Sequence, residues 1–312
     1  MNAYINGVIR RVLGLVFCAA LFAALCNAMA TDDFVVRSNA NLVVLDVSVV
    51  GSNGAPVGGL DKDQFLVSED GKRQTIKQFS AAEAPVSVGF VIDMSGSMHS
   101  KLESVRRATS AFLDASNPAD EYFLIGFNDK AWIGLPVGVQ FSSRGDYIRR
   151  ALLSVRAEGR TALYDGMALA LDHVKLSRYE RRVLVLMTDG KDTASSRRLA
   201  DALQYVRSSP VTLYTMGLFD EDDEMSTRGV LKQLARISGG QFFEPHNALQ
   251  IERDCSVIAR DIRARYTLAY TPPEEAKSAI RKIKVDLIRE SGSPKAFVRA
   301  RSEYSVDRPV AK

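Results

Sequence analysis

The sequence is poor in the residues that build disulfides and soft-metal sites. Its 312 residues include three cysteines and three histidines. Cys18 and Cys26 fall within the first thirty residues, which leaves Cys255 alone in the rest of the chain. An intramolecular disulfide is therefore excluded there, and Cys255, in an apolar-periodic stretch, is expected to be a buried thiol rather than the link of a dimer.

The chain also lacks a strong excess of charge of one sign. The formal net charge is +4, and two of the positive charges, Arg10 and Arg11, lie in the N-terminal segment. This balance gives no reason to expect a nucleic-acid or membrane-surface partner. The G-x-S-x-G, H-E-x-x-H and P-loop motifs are absent as well, so we expect that the protein is not an enzyme.

Long apolar runs are scarce, and the one from Val12 to Leu25 is shorter than the roughly 20 residues that a membrane span needs. Two arginines precede it, and the small-x-small sequence Ala28-Met29-Ala30 follows. Residues 1–30 are therefore predicted to be a signal peptide that is cleaved before Thr31. Cleavage would leave an exported protein, periplasmic or secreted, without a membrane span. An uncleaved anchor is the alternative.

The middle of the chain, residues 85–265, alternates apolar strands with amphipathic helices. VSVGFVID and RRVLVLMTDG contain nearly continuous apolar runs, which are typical of parallel strands covered on both faces. Residues 99–115 carry apolar side chains at helical spacing. This alternation predicts an α/β fold, a doubly wound and mostly parallel sheet with helices on both faces.

The flanking regions, residues 31–84 and 266–312, have the period of β-strands. Each offers about three short strands, too few for a stable core of its own. We therefore predict that the two regions pair into one β-sandwich-like domain into which the α/β domain is inserted. Two independent β flaps packed on the α/β body are the alternative.

Polar side chains follow the strands of the predicted sheet at three places. Asp93, Ser95 and Ser97 come directly after VSVGFVI, Thr161 opens a helix in GRTALYDG, and Asp189 follows VLVLM. Ligands of an open parallel sheet bind at the carboxyl ends of its strands. Two carboxylates and three hydroxyls would form a site of oxygen ligands only, which favours Mg²⁺, with Mn²⁺ or Ca²⁺ as alternatives. Ser95 and Ser97 could instead merely cap the helix that begins near Met98.

These motifs resemble the von Willebrand factor type A domain: DxSxS after an apolar strand, a later threonine, and TDG after a central strand. The resemblance covers about residues 85–265 and implies a metal-ion-dependent adhesion site. It implies that Ser95 and Ser97 bind the metal directly. It also implies that Thr161, Asp93 and Asp189 bind it directly or through water. The strand-rich flanks are similar, more loosely, to bacterial secreted proteins of the VWFA-related type.

Several residues near this site are candidate contacts. His99 follows the predicted metal loop, and Tyr164 and Trp132 belong to segments that could border it, although Trp132 could equally be a packed strand residue. The acidic run 220–224 follows the strand VTLYTMGLF. It is expected to be a solvated loop at the start of the next helix, with a second Ca²⁺ site as the alternative.

Together these features predict an exported, adhesion-type protein-binding module. Its Mg²⁺-loaded site would capture an acidic residue of a protein partner, whose carboxylate would complete the coordination of the ion. The alternative is a scaffold component of a periplasmic complex in which the metal only stabilises the loops. The oligomeric state is not predicted.

Overall fold

The computed structural model describes residues 42–220, 225–273, 278–288 and 295–306, without the side chains of residues 225 and 226. The predicted signal peptide, residues 1–30, and residues 221–224 of the acidic run lie outside the described residues. Within these ranges, no helix is long and apolar enough to cross a membrane.

The strands and helices are numbered in chain order within the described residues. The strands are β1 (Val43–Gly51), β2 (Phe65–Glu69), β3 (Lys72–Gln74), β4 (Ile76–Ser80), β5 (Val86–Asp93), β6 (Glu121–Phe127), β7 (Ala131–Ile133), β8 (Arg181–Thr188), β9 (Thr212–Gly217), β10 (Phe242–Phe243), β11 (Arg265–Tyr270), β12 (Ile280–Leu287), β13 (Ala296–Arg299) and β14 (Glu303–Ser305). The helices are α1 (Leu102–Ala115), α2 (Gly145–Ser154), α3 (Leu163–His173), α4 (Leu199–Ser208), α5 (Met225–Ser238) and α6 (Ala248–Arg263).

A six-stranded sheet with the order β10-β9-β8-β5-β6-β7 forms the centre of the α/β body. All neighbouring strands in it are parallel except β7, which runs antiparallel to β6 at the edge. Every residue of β5 is buried, because its neighbours and the helices cover both of its faces. The predicted parallel α/β fold is confirmed.

The helices cover the sheet in two groups. α1 packs against α2 and α6, whereas α3 packs against α4, which in turn contacts α5. The apolar spacing of α1 places Val105, Ala108 and Phe112 in the core, where the ring of Phe112 meets that of Phe90 edge-on at 5.2 Å. Cys255 of α6 is fully buried in the same core, and burial raises the pKa of its thiol, so the thiol is inert.

Two antiparallel sheets combine strands from both ends of the described chain. Their orders are β13-β1-β11-β4 and β14-β12-β2-β3, so each sheet contains two strands that precede the α/β body and two that follow it. This interleaving confirms the predicted sandwich and excludes two independent flaps. The structure has eight strands here rather than six, because two of the predicted strands divide between the sheets: the one after Glu69-Asp70-Gly71 forms β3 and β4, and the one in AFVRARSEY forms β13 and β14.

The sandwich core contains an apolar cluster and one buried acid. Leu45, Val47, Phe65 and other apolar side chains of both sheets pack together. Glu69 lies beside them and is 2% exposed. Its carboxylate accepts hydrogen bonds from the hydroxyls of Tyr270 (2.6 Å) and Tyr304 (3.0 Å) and forms an ion pair with Arg281. A buried carboxylate is tolerated here because its oxygens are fully partnered.

A second buried acid, Asp261 of α6, joins the α/β body to the sandwich. It accepts hydrogen bonds from the hydroxyls of Ser48 in β1 and Tyr214 in β9. It also pairs with the guanidinium groups of Arg265 (3.2 Å) and Arg299 (2.8 Å). Ser48 lies on the face of β1 that points away from the sandwich core, and it is buried too, so buried and exposed residues do not alternate along the second half of this strand.

The chain turns sharply at Gly239, between α5 and β10. Its φ is +84°, and a Cβ there would lie 2.4 Å from the backbone nitrogen of Arg301. We therefore expect Gly239→Ala to lower the free energy of unfolding by about 2 kcal/mol or more, measured by urea denaturation. The matched control is Gly229→Ala within α5, where nothing lies near the added carbon and the change should stabilise by about 0.5–1 kcal/mol. Equal effects at both positions would contradict this.

Candidate functional site

The carboxyl ends of two neighbouring central strands bring the predicted site together. Asp93 ends β5, and Thr188 ends the adjacent strand β8, directly before Asp189. The hydroxyl of Thr188 donates to Oδ2 of Asp93 at 2.5 Å. Two of the polar segments predicted from the sequence are thus bonded to each other at the carboxyl ends of these central strands.

Asp93 is fully buried at the base of the site. Its Oδ1 accepts a 2.8 Å hydrogen bond from the backbone N–H of Ser95. Burial raises the pKa of Asp93 to about 6, and the nearby carboxylate of Asp189 adds to the rise, while the bonds from Thr188 and Ser95 oppose it. An ionised Asp93 is therefore costly unless a positive charge is supplied.

Ser95 and Ser97 lie in a tight turn above Asp93. Met94 and Met98 anchor this turn in the core, since both are fully buried. The Oγ atoms of Ser95 and Ser97 are 3.1 Å apart, and the hydroxyl of Ser97 donates to Oδ1 of Asp189 at 2.8 Å. Neither hydroxyl caps the turn: Ser95 stands at its N-cap position without a capping bond. The alternative that the two serines only cap a helix does not describe this geometry.

The backbone of Thr161 is held by the segment that follows Asp189. Its N–H donates to Oγ1 of Thr193 at 3.1 Å, and its carbonyl accepts from the N–H groups of Thr193 (2.8 Å) and Ala194 (3.1 Å). The hydroxyl oxygen of Thr161 lies 3.7 Å from the position that a Cβ on Gly190 would take. Thr161 therefore stands beside the turn that carries Asp189, while the other four predicted residues are linked by hydrogen bonds.

A lysine that was not predicted from the sequence also belongs to the site. Lys101 follows the serine turn and precedes α1. Its ammonium donates to Oδ2 of Asp189 at 2.9 Å and to Oδ2 of Asp220 at 2.8 Å. The sequence carried no signal for this role, since a lysine that directly precedes a helix is ordinarily solvated.

The three candidate contact residues occupy different positions. His99 is exposed in the serine turn, and Tyr164 is half-buried in the first turn of α3, where its N–H donates to Asp192. Trp132 lies in the edge strand β7, with its indole over Gly126 and against the α/β core. His99 is thus beside the site, while Trp132 is packed in the body. Their roles as partner contacts stay predictions.

The donor set suits a hard cation. The groups that meet are carboxylate and hydroxyl oxygens, which match the preference of Mg²⁺. Among the described residues, no cluster of three or more His, Cys, Asp or Glu side chains could hold a metal. A cation here would therefore depend on hydroxyls as well as on the two carboxylates. Asp220, the described member of the acidic run, is bonded to Lys101, and the idea of a second Ca²⁺ site stays untested.

Residues 88–191 match the family model of the von Willebrand factor type A domain. The chain is 29% identical over 139 residues to an uncharacterized protein of Synechocystis sp.. This match covers 44% of this chain and 33% of that protein. It is 26% identical over 172 residues to the collagen alpha-1(XXI) chain of Homo sapiens, covering 53% and 17% of the two chains. The matches span a third or less of these curated relatives.

Solved structures share the fold. A von Willebrand factor type A protein from Catenulispora acidiphila aligns with a TM-score of 0.53 and 16% identity, covering 86% of this chain and 75% of that one. The vWF domain of the type V pili tip protein Mfa5 from Porphyromonas gingivalis aligns with a TM-score of 0.50 and 14% identity, covering 58% and 97%. At these identities the similarity establishes the fold and no more.

Proposed function

Because the chain contains a von Willebrand factor type A domain, a domain that typically mediates protein–protein interaction or adhesion, we propose that it is an exported, metal-dependent binding module. Its site holds a divalent cation, Mg²⁺ before Mn²⁺ or Ca²⁺, and captures an acidic residue of a protein partner. Export rests on the predicted signal peptide, residues 1–30, and cell fractionation of the full-length protein tests it.

One observation carries the proposal: Ser97 is an exposed residue whose hydroxyl is fixed among the buried oxygens of the site. It donates to Asp189, which is 3% exposed, and lies 3.1 Å from the hydroxyl of Ser95. Two buried carboxylates, Asp93 and Asp189, thus lie with the hydroxyls of Ser95 and Ser97 in one cluster of oxygens, named here the oxygen cup, and Ser97 brings it to the surface. A cation bound there would supply a positive charge and a free coordination position for the carboxylate of a partner.

The chain's own residues prepare this cup. Asp93 supplies negative charge from below, and the hydrogen bonds from Thr188 and Ser95 fix its orientation. Ser97 holds Oδ1 of Asp189 in line with the serine turn. His99 stands on the accessible rim, where it is suited to meet a partner, while Tyr164 and Trp132 remain secondary candidates.

We propose a binding role rather than a catalytic one for this site. Both oxygens of Asp93 accept hydrogen bonds, and both oxygens of Asp189 accept bonds from Ser97 and Lys101. The sequence also lacks the G-x-S-x-G and H-E-x-x-H motifs that would supply a nucleophile or a metal-bound catalytic base. A screen of Mg²⁺-loaded protein for hydrolase activity tests this, and turnover lost in Asp189→Asn would contradict it.

Replacing Ser97 by alanine should weaken cation binding without unfolding the domain. Ser97 is an exposed residue, but its hydroxyl bonds a buried oxygen of Asp189, so the free energy of unfolding should fall by about 1–2 kcal/mol, which leaves the domain folded. Loss of one oxygen ligand, and of the bond that orients Asp189, should weaken Mn²⁺ binding by about 10–100-fold. Isothermal titration calorimetry measures the affinity, and Ser100→Ala, an exposed serine of the same turn, is the matched control.

The same variants test partner capture. The mature protein, immobilised and exposed to an envelope extract, should retain a partner in Mg²⁺ and lose it in EDTA. Ser97→Ala should lose that partner, and Ser100→Ala should keep it. Equal retention of the partner in Mg²⁺, in EDTA and by Ser97→Ala would contradict the adhesion proposal. If the metal still raised stability in that case, the scaffold alternative would be favoured.

A further inference from the structure

Lys101 places a fixed positive charge next to the proposed cation site. Its side chain is 14% exposed and spans two strand ends, since its ammonium contacts Asp189 after β8 and Asp220 after β9. The two carboxylates differ in environment: the side chain of Asp189 is 1% exposed and that of Asp220 is 75% exposed. Water screens the outer pair, so the lysine charge acts chiefly on the buried side.

The lysine and Ser97 divide the carboxylate of Asp189 between them. Oδ1 accepts from the hydroxyl of Ser97, on the side of the serine turn, and Oδ2 accepts from Lys101. Lys101 therefore does not compete with Ser97 for Oδ1 of Asp189, the oxygen on the side of the serine turn. The backbone of Lys101 is fixed as well, because its N–H donates to the carbonyl of Met98 at the end of the turn.

We infer that Lys101 is a resident counter-ion of the site, which holds Asp189 in position and lowers the affinity of the site for a divalent cation. This inference rests on the proposed function. The two buried carboxylates bring two negative charges, and Lys101 balances one of them. Once a divalent cation is added, the buried site carries a net positive charge that attracts an acidic partner. Without the lysine, the cation alone would neutralise both carboxylates.

Charge variants on the two sides of the ammonium should shift cation affinity in opposite directions. Lys101→Met removes a positive charge and should tighten Mn²⁺ binding by about tenfold or more, since tenfold is already the scale of repulsion between an ammonium and a divalent cation a few ångströms apart in bulk water. Asp220→Asn removes a screened negative charge and should weaken binding by about two- to threefold. Lys101→Arg keeps the charge and should stay within about twofold of the wild type.

Calorimetric titration with Mn²⁺ and thermal unfolding in EDTA supply the two measurements. In EDTA, Lys101→Met should melt at a lower temperature than the wild type, because Asp189 loses its counter-ion, and Lys101→Arg should restore the midpoint. Equal or weaker Mn²⁺ binding by Lys101→Met would overturn the inference. If the wild type bound no cation, the proposed function would fail. Binding gained by Lys101→Met would then still support the counter-ion role, and its absence would refute that role.

Discussion

Asp93→Asn is expected to stabilise the metal-free protein at pH 7 and to abolish its response to Mg²⁺. Asp93 is fully buried, and burial raises its pKa to about 6 from the ordinary value of 3.8. Keeping the carboxylate ionised at pH 7 therefore costs on the order of 2–3 kcal/mol. Asparagine keeps an oxygen for the N–H of Ser95, and the hydroxyl of Thr188 can accept from its amide, so the charge is what is lost.

The pH dependence follows from the same shift. Because the folded pKa lies above the unfolded one, protonation favours the folded state. The cost of Asp93 is absent below about pH 4 and is complete above about pH 7. In EDTA the wild type should therefore lose stability relative to Asp93→Asn as the pH rises through this window. Urea denaturation at pH 4, 5, 6 and 7 measures the difference between the two proteins.

Mg²⁺ should cancel this cost in the wild type only. A ligand that binds the folded state raises stability with its concentration, so the urea midpoint of the wild type should climb with Mg²⁺. The midpoint of Asp93→Asn should stay constant, and Asp63→Asn, an exposed acid of the N-terminal region, should behave like the wild type. A variant less stable than the wild type at pH 7 in EDTA would mean that the protein already compensates the buried charge.

The fold was predictable because its signals are local. The apolar run of β5 indicates a buried strand, and the apolar spacing of α1 indicates a helix, without reference to any distant part of the chain. The alignment of Asp93 with Asp189 was predictable for a related reason, since both follow buried strands and neighbouring parallel strands end at one edge. The pairing of the N- and C-terminal strands followed from a count, because neither group alone could cover a core.

The features that escaped prediction depend on contacts between distant residues. Ser48 and Asp261 are 213 positions apart, and no periodicity links a serine of a strand to an aspartate of a helix. Lys101 and Asp189 are 88 positions apart, and a lysine that directly precedes a helix is ordinarily a solvated residue. Such pairs become visible only when the strand order fixes which loop ends meet.

Asp261→Ala should destabilise the protein strongly, by about 3–5 kcal/mol, because it leaves the buried charge of Arg265 and the partly buried charge of Arg299 without their counter-ion. Arg265 is 3% exposed and makes an ion pair with this carboxylate. Burial by itself raises the pKa of Asp261, but the charges of Arg265 and Arg299 and the hydrogen bonds from Ser48 and Tyr214 outweigh it, and the pKa lies below its ordinary value. Asp261 therefore stabilises the fold above its unfolded pKa, and this contribution is lost as the pH falls through the folded one.

Chemical denaturation measures this effect, and variants on the same helix control it. Asp254→Ala, a half-buried acid of α6, should change the free energy of unfolding by about 0.5 kcal/mol. Asp261→Asn keeps acceptor capacity but loses the charge, so it should fall between the alanine variant and the wild type. A loss below about 1 kcal/mol in Asp261→Ala would show that the arginines find other partners.

The position of Asp261 also predicts how the protein unfolds. Its partners belong to β1, β9, β11 and β13, so one carboxylate joins the central sheet to the sandwich. Trp132, the only tryptophan of the chain, reports on the central sheet, whereas far-ultraviolet circular dichroism reports on both parts. In the wild type the two signals should change together. In Asp261→Ala they should separate, because the sandwich can then open while the sheet around Trp132 stays folded. Coincident transitions in the variant would show that other contacts across this junction suffice to couple the two parts.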